Sequence, residues 1–217
     1  MRAAAPAGSR FVQIGVAISL GLFAVQSLAG LVASLGFHAY GSLVDLDRNN
    51  GLPDLLSTCV ILAAALAAAT LAAQASASRW PAIPLAFVLS AVAVDDLIQA
   101  EPKSSSVSGV SVLVTLTIAA VLIVIVAQQA PLAARIAIFT GLCLLVTAVP
   151  AAFAWDQLLN AVGRPWLGRG DVEYELGIVV KQGLELMGWS LVAVGVWSTS
   201  LTVHAAPKPT VAATAAG

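Results

Sequence analysis

Six long apolar runs limit what this chain can fold into. They lie at about Phe11 to Leu35, Leu55 to Ala73, Ala82 to Ile98, Val110 to Ala127, Leu132 to Ala154 and Leu176 to Val203. A helix needs about 20 mostly apolar residues to cross the hydrocarbon of a bilayer. The third run is the shortest and the most polar at its end, and the sixth is long enough to tilt or protrude. In lipid each span must satisfy its own backbone N–H and C=O groups, which makes helices the expected form. The alternating pattern of an outer-membrane barrel is absent. Composition points the same way: 59% of residues are hydrophobic and 10% are charged, whereas soluble domains carry about 25% charged residues. That excludes both a soluble surface and wholesale disorder. A net charge of −1 leaves no basic surplus for a nucleic-acid partner. The expected fold is an all-α polytopic bundle of six transmembrane helices. Residues 1–204 form a single transmembrane domain, and residues 205–217 form a short disordered cytoplasmic tail.

The connections alternate in length. Gln74 to Pro81 and Gln128 to Pro131 are tight and marked by proline, while Gly36 to Asp54, Gln99 to Gly109 and Trp155 to Tyr174 are longer and polar. This predicts three hairpins. With the N-terminus in the cytoplasm, that side holds Arg2, Arg10, Arg79, Arg135 and Lys208 and no Asp or Glu. Every acidic residue falls on the far side or within a span. Basic residues flanking short loops mark the cytoplasmic face, so both termini are expected there. Trp80 then lies near the inner interface, and Tyr40, Trp155, Trp166 and Tyr174 near the outer one. The expected location is the plasma (inner) membrane of a bacterium. Arg2, Arg10 and the first run also admit a signal peptide with Ser27-Leu28-Ala29 as cleavage site. The run is longer than a usual signal core and continues past that point, which favours a retained span.

Charges inside a span cost about 2.5 to 3.5 kcal/mol each on the insertion scale. Asp95 and Asp96 near the outer end of the third span, and Lys181 and Glu185 in the sixth, therefore form the candidate site. Counted inward from Glu175 at ~1.5 Å per residue, Lys181 lies roughly 9 Å and Glu185 roughly 15 Å down. Lys181 and Glu185 are i,i+4 neighbours on one helix face. Asp95 and Asp96 point about 100° apart, so only one of them is expected to face inward. Two readings follow for this buried polar cluster. One is an ion-paired network pinning the third helix to the sixth. The other is a proton or cation site, because neighbouring carboxylates raise one another's pKa and can share a proton.

The first external loop presents Asp45, Asp47, Asn49 and Asp54 in an alternating pattern of oxygen ligands. A calcium loop of the EF-hand kind needs glycine at its sixth position and a bidentate Glu at its twelfth. Here those positions are Asn50 and Leu56. The same residues also read as a turn followed by a helix cap, with Asp54 or Ser57 at the start of the second helix. The segment from Trp155 to Tyr174 could lie along the headgroups as an interfacial helix. Cys59 and Cys143 fall within apolar runs, where cysteine behaves as a small hydrophobe, and no disulfide is expected. His38 and His204 lie at opposite ends of the membrane path, so no shared metal or haem is expected. Gln26, Thr140, Cys143 and Thr147 read as packing or interhelical hydrogen-bonding groups, and Gly30-x-x-x-Ser34 permits close helix approach.

Three segments together carry a resemblance: Asp45 to Ser57 heading an apolar helix, Asp95-Asp96-Leu97-Ile98 closing another, and Gly183-Leu184-Glu185-Leu186-Met187-Gly188-Trp189 in the last. The chain resembles a group of uncharacterised bacterial multi-pass membrane proteins. Their elements are an Asp-Leu-Asp loop before a helix, a mid-chain acidic pair and a Glu-Leu-x-Gly run in the final helix. In that group a His-Glu pair often follows the acidic pair. Here the region reads Gln99-Ala100-Glu101, which disfavours histidine-mediated chemistry. The resemblance implies topology and no activity. No nucleophile–base pair, metal triad or phosphate loop is recognisable in the sequence. The expectation is therefore a non-enzymatic scaffold, accessory or sensor protein with no cofactor, no catalytic residue and no metal. Its partners would be the lipid bilayer and a homo-oligomeric or other membrane-protein neighbour. The alternative is a small proton- or cation-coupled transporter using the acids of the third and sixth helices.

Overall fold

The computed structural model describes residues 7–34, 52–74, 80–98, 106–162 and 172–205. These form six helices and no strand: α1 (Ala7–Ser34), α2 (Leu52–Ala73), α3 (Ala82–Ile98), α4 (Ser106–Gln128), α5 (Leu132–Ala161) and α6 (Val172–Ala205). Among the described residues, three stretches are long and apolar enough to cross a membrane: Ser9–Leu28, Leu55–Ala73 and Leu176–His204. Shorter apolar stretches occupy Leu113–Gln128 of α4 and Leu132–Ala148 of α5.

Several helices extend beyond their apolar runs, most of all at the end of α5. Helix α5 continues past Ala154 through Trp155 to Ala161, and α6 begins at Val172. The segment Asp156 to Ala161 contains no glycine or proline to end a helix, so polarity alone does not stop α5 there. Trp155 sits in α5 and packs against Gly177 of α6, where an added Cβ would meet its ring at 2.5 Å.

Helix α6 is the hub. It packs against α1, α2 and α5 and touches α4, and 67% of its apolar stretch is buried, against 39% for α2 and 22% for α1. Helix α3 packs on α2 and α4, and α4 also packs on α5. The reason lies in side-chain size. Gly183, Gly188 and Gly195 and the buried Ser190, Ser198, Thr199 and Ser200 keep α6 thin. Its neighbours then approach closely enough to enclose Leu186, Val192 and Val196. Small residues at contact positions are the usual route to tight packing where no hydrophobic force separates helix from lipid. Several helix hydroxyls bond within their own helix: Ser19 donates to Gly15 O at 2.9 Å, Thr199 to Gly195 O at 2.8 Å and Ser90 to Ala86 O at 2.8 Å.

The contacts also set the helix directions. Gly15 meets Val194 and Phe23 meets Gly183, so α1 runs antiparallel to α6. Gly195 meets Ala134 and Ile138, and Gly188 meets Gly141, so α5 does too. The Trp197 indole bonds Ala63 while Thr70 and Gln74 reach Ser200, so α2 runs with α6. Ser57 and Thr58 reach Asp96, which closes α2 and α3 as an antiparallel hairpin. The start of α1 and the end of α6 therefore share one end of the bundle. That end holds Arg10 and Arg135, whereas Asp95, Asp96, Lys181 and Glu185 belong to the opposite half. Every helix exposes large apolar side chains, among them Ile18, Leu66, Phe87, Val121, Val146 and Val180. Such a surface suits membrane association.

Arg135 has a structural task at its end. Its Nε donates to Ala127 O at 3.2 Å, and its Nη2 donates to Gln128 O at 2.9 Å and Ala130 O at 3.3 Å. The last carbonyls of a helix lack intrahelical partners and carry partial negative charge. The guanidinium from the first turn of α5 thus caps α4 across the short turn.

Candidate functional site

The acidic pair at the end of α3 divides by direction. Asp96 turns toward α2, and its Oδ2 accepts hydrogen bonds from Thr58 Oγ1 at 2.7 Å and Ser57 Oγ at 2.9 Å. Asp95, one residue back, is exposed. Thr58 is buried and Ser57 half-buried, so this carboxylate closes the open end of the α2–α3 hairpin partly away from solvent.

Lys181 and Glu185 lie on α6, with Lys181 Nζ 3.9 Å from Glu185 Oε1, and both side chains are partly exposed. This is a one-helix i,i+4 pair of the kind worth a few tenths of a kcal/mol in water, about 0.3 to 0.5. Helix α2 packs on both α3 and α6, whereas α3 makes no substantial contact with α6. Asp96 thus bonds to α2, and Lys181 and Glu185 form a pair within α6.

A second polar knot sits at the basic end. Thr70 Oγ1 donates to Ala67 O at 2.8 Å and lies 3.1 Å from Ser200 Oγ, while Gln74 Nε2 donates to Ser200 Oγ at 3.0 Å. Between the two knots, Trp197 Nε1 donates to Ala63 O at 3.0 Å. Ser57, Thr58, Thr70 and Ser200 carry these links. The only sequence signal for them is hydroxyls embedded in otherwise aliphatic stretches, and nothing there pairs one helix with another.

Asp45, Asp47 and Asn49 lie outside the described residues, and Asp54 belongs to the first turn of α2. Cys59 and Cys143 are free thiols with exposed side chains. Gln26 is buried in α1, and its Oε1 has no hydrogen-bond partner among the described residues. Among those residues, no three His, Cys, Asp or Glu side chains are grouped to hold a metal ion. An apolar groove of about 480 Å³ runs along the outside of α2 and α3, with Ala65, Ala69 and Ala86 among its lining and Leu66, Ile83 and Phe87 beside them. The one hydroxyl there, on Ser90, already donates to Ala86 O, so the groove offers shape and no chemistry.

No known family, curated protein or solved structure matches the chain.

Proposed function

We propose that the chain is a six-span integral membrane protein of the bacterial inner membrane, with both termini cytoplasmic, acting as a non-enzymatic scaffold, accessory or sensor protein. Three observations support the span count and orientation. Helix directions alternate where contacts define them. Each of the six helices exposes large apolar side chains. Arg10 and Arg135 share one end, as the cytoplasmic bias of basic residues requires.

The scaffold reading rests above all on Asp96. The carboxylate placed in a span, where an activity would be sought first, is bonded to two hydroxyls of the neighbouring helix and acts as a clasp. The transport reading draws on one observation, the partly exposed Lys181–Glu185 pair on α6. One substitution separates the two. Glu185→Gln keeps size and removes charge. The scaffold reading expects unchanged ion permeability in proteoliposomes and an effect, if any, on assembly. A cation- or proton-dependent flux present in the wild type and lost in Glu185→Gln would overturn it.

A further inference from the structure

We draw no further inference here: the strongest candidate, the apolar groove along the outside of α2 and α3 with Ala65, Ala69 and Ala86 in its lining, faces away from the bundle, and nothing in the structure shows what covers it.

Discussion

Helix α6 meets its two flanks by different means. Toward α5 it offers bare backbone: an added Cβ on Gly141 would meet Gly188 O at 2.5 Å, and one on Gly195 would meet Ala134 O at 2.8 Å. Toward α2 it offers polar side chains: Trp197 to Ala63 O, and Ser200 to Thr70 and Gln74. The α2–α3 hairpin extends that second style with the Asp96 clasp. In lipid the first style draws on dispersion at close approach, which any added methylene destroys. The second draws on hydrogen bonds, each worth only about 0.6 kcal/mol on average because the separated helices find other partners. The glycine flank should therefore be brittle, and the polar flank should yield gradually.

The largest effect should come from Gly188→Leu. Its Cβ would lie 2.9 Å from Gly141 O and within 3.0 Å of Leu145. A backbone carbonyl cannot rotate away, so the cost should reach or pass the ~3 kcal/mol upper range of overpacking. Denaturant unfolding in mixed micelles should show it, and a midpoint equal to the wild type would remove the distinction between the flanks. Next comes Asp96→Ala, with an expected loss of about 1 to 2 kcal/mol. Asp96→Asn should lose less, since an amide oxygen still accepts. Adding Thr58→Val to Asp96→Ala should cost little more, because the bond is already gone, and full additivity would mean the clasp is not a unit. Trp197→Phe should cost about 0.6 kcal/mol by losing its single bond to Ala63 O while keeping most of the ring. Smallest is Arg135→Gln, at about 0.5 kcal/mol for a cap at an exposed helix end. Its signature is faster amide exchange confined to the residues around the α4–α5 turn. If exchange quickens throughout α5 instead, Arg135 holds more than a cap.

Much of the architecture is legible in the sequence, and the reasons are local. A helix must satisfy its backbone in an apolar setting, so apolar length reports its existence. The short connections at Gln74 to Pro81 and Gln128 to Pro131 put the ends of α2 and α3, and of α4 and α5, side by side. The candidate site was less legible. The i,i+4 relation of Lys181 and Glu185 follows from helix geometry alone, and the structure has them 3.9 Å apart. The partners of Asp96 did not follow, because Ser57 and Thr58 lie about 40 residues away in sequence on a helix whose start reads equally well as a cap.

By itself the sequence determined which stretches become apolar helices, how many runs there are, and that acids and the Arg10 and Arg135 end stand apart. Each of these depends only on residue type along the chain. The tertiary structure decided that α6 is the hub, that Asp96 belongs to α2, and that Gly188 faces inward while Gly21 faces out. Those are questions of azimuth. A helix that is apolar nearly all round carries no strong periodic signal to say which side meets which neighbour, so only the packed bundle distinguishes one glycine from another.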